Sequence, residues 1–203
     1  TLSRLQERTM EIEQAGGKVT AVCADASDEK QVIELFQEAR NEVSLAVYNA
    51  GNNFPGPIID MDADYFENSW KSCCYGGFLF GREALRCMVP TGEGTLLFTG
   101  ASASLRGRSN FGAFNSAKAG LRTLAQAMAK EYGPQGIHVG HVVVDGAIAG
   151  EKIMNRIPNF SEKLDEGRLI NLEGIVDGYV FLYKQSAQAW TFELDLRTSR
   201  EGW

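Results

Sequence analysis

The chain has no run of about 18 consecutive apolar residues, the length a helix needs to cross a bilayer, and its first twenty residues hold no apolar signal core. No membrane partner is expected, and a cytoplasmic location is. Basic residues never cluster: 20 Lys and Arg stand against 26 Asp and Glu, and the net charge of -6 gives nucleic-acid phosphates no surface to dock on. Cysteine is scarce, and Cys23, Cys73, Cys74 and Cys87 show neither CxxC nor metal-ligand spacing, so free intracellular thiols are expected. The only two histidines, His138 and His141, lie three apart on one strand-like run. That spacing puts them on opposite faces, without an accompanying carboxylate motif, and argues against a metal site. No GxSxG elbow is present, which excludes the usual serine-hydrolase arrangement. Internal repeats, low-complexity tracts and linkers are absent too, so residues 1–203 read as a single domain with a small molecule as the default ligand.

What is present is enough apolar material for a continuous core: 44% of 203 residues are hydrophobic and 23% charged, a globular composition. Apolar residues at helical spacing predict a surface helix over 1–15, stopped by Gly16-Gly17. The alternation over 18–23 predicts a strand. Ser27 or Asp28 can cap the next helix, whose stripe is Val32, Ile33, Leu35 and Phe36 and which ends near Asn41. Residues 45–48 are a short buried strand delivering the turn Asn49-Ala50-Gly51. A long helix is expected from Asp62 or Asp64 to about Met88, a strand over 95–99, a helix over 112–132 ended by Gly133-Pro134, and a central β-branched strand over 137–144. Residues 147–172 are turn-rich and read as a mobile flap with one or two short helices. A helix at about 173–185 and a strand at about 190–196 complete an alternating pattern, which predicts an α/β fold with a doubly wound parallel sheet.

Three motifs in series give this pattern a family. Asp25 ends one strand, Asn49-Ala50-Gly51 ends the next, and Phe114-Asn115-Ser116-Ala117-Lys118 opens a helix; together they resemble the short-chain dehydrogenase/reductase family. The 77–79 Gly-Phe-Leu run, residues 121–132, 136–139 and Asp145-Gly146 follow in family order. The resemblance implies a Rossmann-type domain whose first strand, glycine-rich turn, helix and second strand precede the residue numbered 1 here. An upstream unit of about 30 or more residues is therefore expected. The sheet order that the resemblance implies puts its first strand between residues 18–23 and 45–48, and without it those two strands would leave backbone groups unpaired.

The resemblance also implies chemistry: a hydride moves between a nicotinamide, NAD or NADP, and a carbonyl or alcohol, while a tyrosine passes the proton with help from a lysine four residues later. Residues i and i+4 share a helix face, so the ammonium lowers the phenol's pKa and reaches the nicotinamide ribose. Lys118 holds the lysine position, but Phe114 replaces the tyrosine and a benzene ring has no proton to give. The serine that polarises the substrate falls at Ala101, with Ser102 and Ser104 adjacent; the relay asparagine falls at Cys73. Asp145, Tyr75 and Ser102 are the candidate replacement donors. On the cofactor side, Asp25 and Ala26 match the adenine contact, Asn49-Ala50-Gly51 the turn beside the adenine ribose, Lys118 the ribose contact, and Asp145-Gly146 the usual proline-glycine pair. The helices at 64–88 and 112–132 are those by which relatives form a homodimer or homotetramer, with Gly76, Gly77, Gly81 and Ala84 permitting close approach, and the tail to Trp203 a possible second contact. Two readings stand: an oxidoreductase with atypical proton delivery, and a non-catalytic dinucleotide-binding or scaffolding member of the same fold.

Overall fold

The computed structural model describes residues 2–39, 42–150 and 159–201. Four parallel strands form one sheet in the order β1 (Leu45–Tyr48), β2 (Gly94–Ala101), β3 (Ile137–Val144), β4 (Glu193–Leu196). All eight residues of β3 are buried, as a β-branched run covered on both faces should be. Val32, Phe36, Leu79, Met88, Phe98 and Leu121 fill one face of the sheet, beneath α2 (Glu29–Glu38), α4 (Gly76–Met88) and α5 (Gly112–Tyr132). Leu97, Val142, Val144, Ile170 and Leu182 fill the other. The expected doubly wound arrangement is what forms.

The helix starts follow local chemistry. Asp28 caps α2 by accepting from the Gln31 amide at 3.0 Å, satisfying a donor that the first turn leaves free. Asp62 does the same for α3 (Ala63–Trp70) through Tyr65. In α5 the buried stripe runs Ala113, Ala117, Leu121, Ala125, one residue every four, and Lys118 is buried within it.

Residues 18–23 are not a strand, contrary to the alternation in their sequence; they form no regular secondary structure, with Val22 and Cys23 exposed. Alternation marks a chain suited to a ladder, but a strand exists only where a neighbour supplies the other half of the hydrogen bonds. β2 is the one strand paired with β1 among the described residues, and nothing bridges β1 to 18–23. α1 (Leu2–Gln14) forms as expected yet leaves Met10 and Ile12 exposed.

The long helix over 64–88 is also modified: a π-turn, Lys71–Tyr75, separates α3 from α4. Its cause lies in a distant side chain. The Tyr48 hydroxyl, at the end of β1, donates to the Ser72 carbonyl at 2.5 Å, taking an acceptor out of the helix ladder. Gly76 is what admits that side chain, since a Cβ there would stand 2.3 Å from the Tyr48 hydroxyl and 2.7 Å from the Ala26 carbonyl. Gly77 and Gly81 likewise face Leu121, and Met128 and Phe98. These small residues, with fully buried Ala84, pack on their own sheet and α5 and so are not the means of close approach to a second subunit. The outward side of α3 and α4 instead carries Phe66, Trp70 and Phe78.

Beyond β3, Ile148 and Ile170 bridge in parallel, and a short helix, α6 (Phe160–Asp165), precedes α7 (Leu172–Tyr183). Much of the predicted flap, residues 151–158, lies outside the described residues, as do the predicted helix end at Asn41 and the tail residue Trp203.

Candidate active site

The carboxyl ends of β1, β2 and β3 open into one cavity of about 760 Å³. Asn49-Ala50-Gly51 from β1, Thr99 to Ser102 from β2, Phe114 and Lys118 from α5, and Asp145-Gly146 from β3 all line it. A Cβ on Gly51 would lie 3.0 Å from the Cys73 sulfur, so glycine is what lets the turn pass this close to that thiol, and the Lys118 Nζ stands 3.5 Å from the same point. Two motifs 67 residues apart in the sequence thus meet in one crevice.

Lys118 is 5% exposed, and its Nζ donates to the Thr99 carbonyl at 2.8 Å. Burial pushes its pKa below the ordinary lysine value, against a smaller opposing influence of Cys73. The Nζ lies 5.9 Å from the centre of the Phe114 ring, with which it shares a helix face, at the outer limit of a cation–π contact. Cys73, at the family's asparagine position, is fully buried in the π-turn behind Gly51.

The two serines adjacent to Ala101 part ways. Ser102 lines the cavity, whereas Ser104 is buried and its Oγ accepts from the Ala101 amide at 3.2 Å, fixing the turn at the end of β2. Tyr75 is outside the cavity lining, half-buried against the core and stacked on Trp70 at 6.0 Å, so it is not a donor to this site. Asp25 and Ala26 also lie outside the cavity lining. Asp25 accepts from the Ser27 amide and hydroxyl at 2.8 and 2.7 Å, and Ala26 packs beside Gly76. Neither residue is in the crevice wall.

Asp145 is buried and both its oxygens are taken: Arg106 donates at 3.1 and 3.0 Å, and Arg197 lies 3.3 Å away. This carboxylate anchors two guanidinium groups, and such a role as acceptor gives no support to proton donation. Asn115 of the Phe114–Lys118 motif lines the cavity as well, as do Arg106, Arg108 and Glu201, none of them singled out by motif. Their clue in the sequence was placement alone, two arginines on the loop feeding α5.

Beneath the site, His141 is fully buried on β3, its Nδ1 3.0 Å from Glu193, which is itself bound by Arg122 at 2.5 and 2.8 Å. Burial above all, then the charges of Arg122 and Lys118, push the imidazole below its ordinary 6.5, although Glu193 pulls the other way. A depressed folded-state value means that the unfolded chain takes up the proton first as pH falls. His141 therefore contributes stability that is complete above about 6.5 and is lost below it, with a slope of at most about 1.4 kcal/mol per pH unit. Urea unfolding between pH 8 and 5 should show this decline, and His141→Gln should flatten it; an unchanged slope in the variant would assign the decline elsewhere.

Against this geometry the comparisons are decisive. A family model described as enoyl-(acyl carrier protein) reductase matches residues 2–193. The chain belongs to the short-chain dehydrogenase/reductase family. A short-chain dehydrogenase/reductase of Armillaria gallica is 31% identical over 132 residues, 63% of this chain and 51% of the relative, so the chain spans about half the length of that curated relative. A crystal structure of a short-chain dehydrogenase from Rhodopseudomonas palustris superposes with a TM-score of 0.78 at 36% identity, covering 96% of this chain and 82% of that one. A 7α-hydroxysteroid dehydrogenase, solved with NADH and a 7-oxo bile acid, shares the fold with a TM-score of 0.85 at 23% identity, over 95% of this chain and 78% of that one. Among the described residues no helix is long and apolar enough to cross a membrane, and no three His, Cys, Asp or Glu side chains cluster as metal ligands.

Proposed function

We propose that this protein, read as one domain over residues 1–203, is a cytoplasmic NAD(P)-dependent oxidoreductase acting on a carbonyl or alcohol, with a proton supplied by something other than a phenol. The observation that carries the reading is the meeting of Asn49-Ala50-Gly51 with the buried ammonium of Lys118 in one cavity. A close-approach glycine and a largely desolvated cation with one protein acceptor suit a dinucleotide. When bound, that group supplies or accepts the hydride. Asp25 and Ala26 would hold its adenine end, Asn49-Ala50-Gly51 the adjoining ribose, Lys118 the nicotinamide ribose, and Asp145-Gly146 the ring side.

Lys118 is then also the acid. Burial makes its ammonium a better proton donor than a solvated lysine, because a catalytic acid works best when its pKa approaches the operating pH. Ser102, on the cavity wall, is placed to donate a hydrogen bond to the substrate oxygen; Phe114 and Ala101 contribute only apolar surface. None of the four cysteines is in a disulfide among the described residues, which fits a reducing compartment. The exposed Phe66, Trp70 and Phe78 favour a homodimer or homotetramer through α3 and α4.

The non-catalytic reading draws on one observation, the loss of both family hydroxyls at Phe114 and Ala101. Fluorescence titration with NADH and NADPH, a panel of carbonyl compounds followed at the reduced nicotinamide's absorbance, and a light-scattering mass separate the readings. Binding with turnover by a multimer is expected. Absence of binding by either dinucleotide would end the oxidoreductase reading and leave a scaffolding member, and binding with no turnover would leave a non-catalytic dinucleotide-binding one.

A further inference from the structure

On the cavity wall formed by the loop between β2 and α5, the hydride-transfer reading gives a task to Ser102 but none to the two arginines. Arg106 and Arg108 stand there two residues apart, and both line the cavity. Arg106 is committed to Asp145. Arg108 is different. Its guanidinium carbon lies 5.3 Å over the Phe111 ring, and no carboxylate among the described residues is within ion-pair distance of it. The loop is held in place, since the Asn115 side-chain amide donates to the Arg108 carbonyl at 2.9 Å.

Charge points the same way. The chain carries a net -6, yet the cavity wall holds three cations, Arg106, Arg108 and Lys118, against two carboxylates, Asp145 and Glu201. Asp145 is neutralised by its two arginines, and Glu201 lies on the Gly146 side of the cavity, 3.4 Å from where a Cβ on that glycine would be. A guanidinium presents a rigid fork of donors that matches a carboxylate. It is backed here by an aromatic face, and Phe114 supplies a second apolar ring close by in the lining.

We propose that Arg108 binds the carboxylate of the substrate, which makes that substrate an oxo acid or hydroxy acid whose hydrocarbon part lies against Phe111 and Phe114. The word substrate rests on the oxidoreductase reading; the carboxylate site does not, because binding is measured without turnover. Two probe pairs test it: 4-formylbenzoate with its methyl ester, and levulinate with its methyl ester, each titrated calorimetrically into the protein with and without oxidised NADP, which has no hydride to give them. The acid of at least one pair should bind about tenfold or more tightly than its ester, lose that margin as salt rises, and lose it entirely in Arg108→Ala, while Arg108→Lys keeps part of it. Arg108 is exposed, so its variants should unfold at the native temperature, and that measurement certifies them.

Equal affinity for acid and ester in both pairs overturns the proposal, as does failure of all four probes to bind or an acid preference that survives Arg108→Ala. A parallel titration separates a cofactor phosphate from a substrate carboxylate. If Arg108→Ala weakens NADPH but leaves the acid preference intact, the arginine reads the cofactor and the proposal falls. A protein that binds the acids but reduces nothing keeps this site and loses the hydride reading; one that reduces acids and esters equally well does the reverse.

Discussion

Phe114→Tyr is expected to raise NAD(P)H-dependent carbonyl reduction by a factor of about 10²–10⁴, the range that a positioned acid or base contributes. The scaffold for the missing phenol is already built. Phe114 lines the cavity one helical turn before Lys118, and its ring centre is 5.9 Å from the ammonium. A hydroxyl at the ring tip would enter a site in which a cation favours the phenolate, so the new phenol should ionise below its ordinary value near 10 and transfer its proton readily. The gain should appear in kcat more than in KM, because the substitution adds an interaction realised as the proton moves. Steady-state rates of the native chain and the variant, measured with the same carbonyl panel and a matched cofactor titration, provide the check. A variant that folds and binds cofactor as well as the native chain but gains no rate would show that Phe114 is not the only obstacle, and Ala101, the other lost hydroxyl, would become the next position to restore.

The parts of this protein that were legible in the sequence are those governed by neighbours in the chain. Asp28 caps a helix because its own side chain reaches an amide three residues on. The β-branched run from Ile137 to Val144 can be read as a buried strand because every one of its residues carries the same signal. The turn at Asn49-Ala50-Gly51 and the lysine at 118 were legible as a pair only because the family fixes their relation, and the cavity confirms that they meet. What failed was set by distant partners. Residues 18–23 alternate as a strand would, but no neighbouring ladder is formed for them. The π-turn at Lys71–Tyr75 depends on a hydroxyl 24 residues away, at Tyr48, and nothing in the 71–75 sequence announces it. Asp145 drew attention as a possible acid because it stands where the family has the first residue of a proline-glycine pair; its partner Arg106 is 39 residues distant. Arginine pairing across a cavity has no periodicity to read.

Lys118→Met separates the needs of the site from those of the fold. An ammonium that is 5% exposed, with a single backbone carbonyl as its hydrogen-bond acceptor, gives up most of its hydration for little in return. A methionine of similar length fills the same space without that penalty, though it deprives the Thr99 carbonyl of its donor, at a cost of about 1–2 kcal/mol. Replacing buried charges with apolar groups is commonly neutral or stabilising by about 1–4 kcal/mol, so a net gain of about 1–2 kcal/mol is expected, equivalent to about 2–8 °C in Tm for a chain of this size. The sign can be checked against pH. Because the folded-state pKa is lowered, the penalty is present at neutral pH and vanishes only above the ordinary lysine value of 10.5, so the advantage of the variant should shrink as pH rises toward that value. Dinucleotide affinity and any turnover should fall at the same time, by at least about tenfold and about a hundredfold respectively, since the variant has neither the ribose contact nor the acid. A chain that gains stability while losing the ligand has kept a costly cation for function. If Lys118→Met instead lowers Tm with binding unimpaired, the ammonium serves to tie α5 to β2 through Thr99, and the acid role assigned to it would pass to Ser102.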